Sequence, residues 1–184
     1  MEVILLFALG SRIDLEGADP LAREYMEYVH DIISNPHIQE MTQYFHHGNT
    51  TCFQHCLNVS YYNFIICKLL SWDARSAARA GLMHDMFLYD WHTKKFSKGE
   101  KGHATGHAIT ALNNASAYFE LNPIEKDIIL KHMFPVTTAL PCFKETLIII
   151  LTDKYCGLIE TVAPRLNAIW HFLTVPIVVN HTKL

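Results

Sequence analysis

The chain has 184 residues, enough for one domain with a substantial core and too few for two domains of ordinary size. Half of it is apolar and the formal charge is −3, with lysines bunched only at Lys94, Lys95, Lys98 and Lys101, so the basic footprint of a duplex nucleic-acid binder is excluded. Five cysteines (Cys52, Cys56, Cys67, Cys142 and Cys156) are odd in number and lack CxxC spacing, which excludes a disulfide scaffold and reads as reduced thiols of a cytoplasmic protein.

Helix signals dominate along the chain, and period-two alternation is nearly absent. The apolar run 3–9 follows Glu2 rather than a basic start and is far shorter than a membrane span, so neither a secretory signal nor a membrane anchor is expected. Asp19-Pro20 reads as N-cap and first residue of a helix ending near Asn35-Pro36. Thr50 or Thr51 caps a long helix to about Trp72, whose apolar face collects Cys52, His55, Cys56, Val59, Tyr62, Ile66, Leu69 and Leu70. Asp73 caps the next helix, which ends in His84-Asp85.

The stretch 86–102 lacks a helical stripe and is read as an active-site loop, with Phe87-Leu88-Tyr89-Asp90-Trp91 over the site and Lys94 to Lys101 in water. Beyond it, 104–119 places His107 among Ala104, Ala108, Ala111 and Ala115, with His103 on the face of Thr110 and Asn114. Asn122-Pro123-Ile124-Glu125 carries the elements of a capping box for a helix that aligns Ile128, Ile129, His132 and Met133. Pro141 opens a helix aligning Ile149, Ile150, Asp153 and Cys156, and another is expected from Pro164 to about Thr174. The tail 175–184 has no assignable structure. The fold class expected is an all-α, single-domain helical bundle with a metal site between helices.

The chemistry starts from His84 and Asp85, an imidazole and a carboxylate at the end of an apolar helix that contains Leu82 and Met83. An ionisable pair in such surroundings is costly unless it is hydrogen-bonded, paired or holding a metal. One histidine on an apolar stripe is commonly a hydrogen-bonded core residue. Five segments that each aim a nitrogen or oxygen inward are harder to satisfy separately, whereas one or two cations satisfy them all. Asp85 is the natural bridge, because each of its oxygens can face a different cation.

The order His55, His84-Asp85, His107, His132, Asp153 resembles the HD-domain superfamily of metal-dependent phosphohydrolases, over a core of about 44–160 within a single domain spanning 1–184. The 1–43 segment is then an N-terminal helical part, and 161–184 a C-terminal helix and tail. The phrases His47-Gly48-Asn49-Thr50-Thr51, His55-Cys56-Leu57-Asn58-Val59-Ser60 and Phe87-Leu88-Tyr89-Asp90-Trp91-His92 are similar to small stand-alone bacterial members of that superfamily. The resemblance implies a first metal on His55, His84, Asp85 and Asp153, and a second on His107, His132 and the bridging Asp85. Ligation by imidazole and carboxylate without thiolate suits iron, manganese, cobalt or zinc, and two such ions about 3.5–4 Å apart would polarise a phosphoryl group and generate hydroxide near neutral pH.

An ester-bond hydrolase acting on a small phosphorylated metabolite or nucleotide follows as the expected activity. Asp85, Asp90 and Lys154 are its candidate catalytic residues, Asp90 as proton donor to the leaving group. His47, Lys154 and His103 are the candidate substrate-binding residues, His103 being also the spare metal ligand. The expected partners are the small substrate alone, without nucleic-acid duplex or membrane, and a homodimer is allowed. The sequence continues past the dyad as Met86-Phe87-Leu88, without the Gly-Lys of many cyclic-dinucleotide phosphodiesterases, which argues against that substrate. Two other readings use the same scaffold: a non-catalytic nucleotide or metal sensor, and a di-iron oxygenase.

Overall fold

A computed structural model describes Gly10 and residues 19–174, with side chains to residue 166; the expectations for 3–9 and 175–184 lie outside the described residues. Helix α1 (Pro20–Ile33) starts at Asp19, whose carboxylate accepts from the N–H of Leu21, and buries Tyr25, Val29 and Ile32, one turn apart. Helix α2 (Pro36–Glu40) and a 3-10 turn follow. A hairpin of β1 (Phe45–His47) and β2 (Thr50–Thr51) then leads into α3 (Cys52–Leu69), capped by Thr51, and α4 (Ala74–Met83) is capped by Asp73. After the loop come α5 (His103–Tyr118), α6 (Pro123–Lys131) with the complete Asn122–Glu125 capping box, and α7 (Lys144–Thr174).

The result is a mainly helical bundle in which α3 is central. Its surroundings explain a departure from the expected stripe: Leu69 and Leu70 are exposed, while Asn58, Ser60 and Asn63 are fully buried. A helix enclosed on most sides must also bury polar residues, and each of these makes at least one hydrogen bond. Ser60 donates to the Ala78 carbonyl at 2.6 Å and sits 2.8 Å from the Tyr25 hydroxyl, and Thr152 donates to Asn63 Oδ1 at 2.6 Å. The α3–α4 contact is close because Gly81 faces the Ser60 backbone; a Cβ there would stand 2.6 Å from Ser60 Cα. That contact sets the end of α4, and hence the dyad, against α3.

The second departure is at Pro164. No new helix begins there; α7 runs through it for 31 residues. Proline removes one backbone donor and crowds the carbonyl four residues back, and here the burial of Ile149, Cys156, Glu160 and Ala163 on one side of α7 holds the helix across it. The start of α7 also lies three residues beyond Pro141. Asp127 of α6 fixes that start from outside, its Oδ2 accepting from the N–H of Cys142 and Phe143 and from the Thr146 hydroxyl. The hairpin was not expected, since strands of three and two residues are too short to show alternation. Among the described residues no helix is long and apolar enough to cross a membrane.

Candidate metal centre

Five helices deliver the expected ligands to one place. His55 comes from the first turn of α3, where Thr51 accepts from the N–H of Gln54 and ends the hairpin. His84 and Asp85 follow the last residue of α4, His107 stands in the second turn of α5, His132 follows α6, and Asp153 comes from the middle of α7. His55, His84, Asp85, His107 and His132 are all buried, and Asp153 nearly so.

Each imidazole is fixed in the same sense. His84 Nδ1 donates to the Gly81 carbonyl at 2.8 Å, His107 Nδ1 to that of His103 at 2.7 Å and His132 Nδ1 to that of Ile129 at 2.9 Å. His55 Nδ1 donates to Glu160 Oε2 at 2.8 Å, and Glu160 is itself held by Asn58 Nδ2 at 2.7 Å. The carbonyls cannot donate, so these rings are obliged to carry a proton on Nδ1, and Nε2 is left facing inward.

The four Nε2 atoms converge on two carboxylates. His55 Nε2 is 3.1 Å from Asp153 Oδ1, and His84 Nε2 is 3.9 Å from the same oxygen and 3.4 Å from Asp85 Oδ2. On the opposite side, Asp85 Oδ1 faces His107 Nε2 at 3.3 Å and His132 Nε2 at 3.5 Å. Asp85 therefore divides the cluster, one oxygen to each half, as a bridging carboxylate would. Three compact groups result, His55/His84/Asp153, His84/Asp85/His132 and His46/His47/His55, with candidate ligand atoms within 4.8 Å of one another in each.

Two details test whether a cation fits. His107 Nε2 and His132 Nε2 are 2.9 Å apart, although both rings already hold a proton on Nδ1. Two neutral rings so placed would oppose lone pair to lone pair, and a shared proton or a cation removes the conflict. His84 Nε2 and Asp85 Oδ1 are also buried without any hydrogen-bond partner. The electrostatics agree. Burial opposes charge on His55 and His84, yet Asp153, Glu160 and Asp85 beside them raise both well above the ordinary histidine range. Burial likewise opposes ionisation of Asp85 and Asp153, and the surrounding histidines hold both well below the ordinary carboxylate range. Positive charge is thus favoured beside Asp85 and Asp153, whereas burial and the neighbouring imidazoles push His132 down to about 3. Nitrogen and oxygen donors suit a transition ion of borderline hardness. Cys52 and Cys56 are packing residues beside it, for burial raises both thiols and keeps them protonated. These buried groups could hold a metal ion.

The cluster floors a cavity of ≈ 450 Å³ whose lining includes His47, His103 and Lys154. His47 and His103 are neutral at pH 7, each pushed down to about 4 by burial and by neighbouring imidazoles. His103 stacks between His107 and Trp91, and its Nδ1 is 3.0 Å from the Tyr89 hydroxyl. Lys154 Nζ rests on the Ile150 carbonyl at 3.2 Å.

Asp90 is not brought to the site. Its side chain is 42% exposed and accepts from the N–H of His92 and the hydroxyl of Thr93, so it shapes the loop rather than facing the cavity. The sequence reading missed two residues. His46, whose Nε2 stands 3.0 Å from Asp85 Oδ2, lies on β1 and is buried. Glu160 fixes His55, and its signal was available: it stands two turns beyond Asp153 on the same side of α7. No family model, curated protein or solved structure matches the chain.

Proposed function

We propose that this chain is a metal-dependent phosphohydrolase of the HD type, cleaving the phosphate ester of a small phosphorylated metabolite or nucleotide. The observation that carries the reading is the shared orientation of four buried imidazoles, each committing Nδ1 to an acceptor and turning Nε2 toward Asp85 or Asp153. His55, His84, Asp85 and Asp153 would hold one ion, and His107, His132 and Asp85 a second. Such ions supply Lewis acidity at the phosphoryl group and bring the pKa of a water near neutrality.

The chain's own residues would do the rest. Asp85 would space the two halves through its two oxygens, and Glu160 and the three carbonyls would hold the Nδ1 protons and so aim the Nε2 atoms at the ions, which replace any proton there. Lys154, at the cavity rim, would exchange its bond to the Ile150 carbonyl for a phosphate oxygen, a charge-assisted and therefore stronger contact. His103, rather than Asp90, would hydrogen-bond the leaving oxygen, which would take its proton from solvent water. With the Tyr89 hydroxyl donating to Nδ1, the neutral His103 ring carries its proton on Nε2 and lines the cavity.

Phosphate release from a panel of phosphomonoesters and nucleotides, by protein purified without chelator, tests the proposal. Turnover that falls to background in Asp85→Ala and is lost with chelator is expected. Full turnover in Asp85→Ala, or no release from any ester, rejects it.

A further inference from the structure

Beyond its ligand floor and the neutral imidazoles of His47 and His103, the cavity offers a polar substrate few charges or donors. Its outer wall is formed by Ala104, Met133, Val136 and the Trp91 indole, and among the described residues Lys154 is the one lysine or arginine that lines it. The loop lysines do not contribute: Lys94 is turned onto the ring of Tyr89, its Nζ 3.8 Å from the centroid, and Lys101 lines a separate groove. A second phosphate or a polyhydroxylated sugar would need donors and charges on this wall, because buried anions and hydroxyls left without partners are costly.

What the wall does present is apolar and flat. Trp91 is held in place by stacking on His103, with ring centroids 5.0 Å apart and planes 10° from parallel. Val136 is 55% exposed at the opening, apolar surface that a ligand would cover. One polar handle remains, since the Trp91 Nε1–H is buried without a hydrogen-bond partner.

We infer that the substrate class is a phosphomonoester carrying a single phosphate on a compact, largely apolar or aromatic alcohol, whose body lies against Met133, Val136 and Trp91 while the phosphate reaches Lys154 and the ligand floor. The inference rests on the phosphohydrolase reading for the reaction, and on the cavity wall alone for the selectivity. Sugar phosphates and nucleoside polyphosphates are the disfavoured classes.

Binding of three anionic probes, two of them non-hydrolysable phosphonates, separates the two. On full-length, manganese-loaded protein, calorimetry compares phenylphosphonate, methylphosphonate and inorganic pyrophosphate, and phosphate release is followed in parallel from phenyl phosphate, glucose 6-phosphate and ATP. Phenylphosphonate is expected to bind at least about tenfold more tightly than methylphosphonate, from burial of the ring, and more tightly than pyrophosphate. Val136→Ser, which trims the apolar surface without adding charge, is expected to shrink that preference. Equal binding of the two phosphonates, or tightest binding of pyrophosphate, overturns the inference. Faster release from glucose 6-phosphate or ATP than from phenyl phosphate overturns it as well, while leaving the phosphohydrolase reading intact. A clear phenylphosphonate preference with no phosphate released from any ester does the reverse: the cavity selectivity stands and the reaction falls.

Discussion

Glu160→Gln isolates the residue that would orient His55 toward an ion without itself touching it. Glu160 accepts from His55 Nδ1 at 2.8 Å with one oxygen and from Asn58 Nδ2 at 2.7 Å with the other. The glutamine has the same shape but only one acceptor, so its amide N–H2 must oppose either the imidazole N–H or the Asn58 amide. Turning Asn58 over would break the 3.0 Å bond that its Oδ1 accepts from Gln54. One charge-assisted hydrogen bond is therefore lost whichever way the amide lies, about 1.5–3 kcal/mol. At 1.4 kcal/mol per decade this corresponds to roughly a 10–100-fold loss of affinity at the half-site built on His55. Competition against a chromophoric chelator measures the affinity, and circular dichroism establishes that the variant is folded. A folded variant that binds metal within about twofold of the parent would refute the claim that Glu160 aims His55 at an ion.

Arg79 joins three elements, forking onto Asp31 at 2.6 and 2.9 Å, donating to the Tyr28 carbonyl and reaching the buried Glu125 at 3.1 Å. Asp31 is largely exposed and can be resolvated but Glu125 cannot, so Arg79→Ala should lower unfolding stability in urea by about 3–5 kcal/mol. Gly81→Ala gains about 1 kcal/mol of helix propensity, but it sets a methyl group 2.6 Å from backbone, which no rotamer change relieves. A net loss of about 1–3 kcal/mol is expected, with weakened metal binding because His84 hangs on the Gly81 carbonyl. For Asp127, burial raises the carboxyl pKa, but hydrogen bonds from Lys131, Thr146 and the N–H of Cys142 and Phe143 outweigh it and leave the pKa below its ordinary value. The stabilisation is thus fully present above about pH 4, the unfolded value, and is lost as pH falls through the folded one. The stability difference between parent and Asp127→Asn should be constant from pH 5 to 8 and shrink below about pH 4; a difference that grows on acidification would contradict this.

The buried cluster that could hold a metal was legible because its members break the composition of apolar stripes: His55 beside Cys56 and Val59, His107 between alanines, His132 after two isoleucines. Caps at Asp19, Thr51, Asp73 and Asn122 were legible for a similar reason, being local side-chain-to-backbone geometry. What depends on distant partners was not. The cap that Asp127 places on α7 crosses between helices, and the burial of His46 depends on a hairpin folding over the end of α4. Asp90 was misassigned because proximity to the dyad in sequence says nothing about which side of a loop a carboxylate takes. Its bonds to His92 and Thr93 are the usual use of aspartate in a turn.

The most direct measurement is the metal content of full-length protein purified without chelator, by mass spectrometry of the dissolved sample, alongside Asp85→Ala. Close to two equivalents of a divalent transition ion per chain are expected, falling to one or fewer in the variant because Asp85 faces both half-sites. A folded parent protein that holds no transition metal, and takes up none on titration with manganese, iron, cobalt or zinc, would contradict the account at its base.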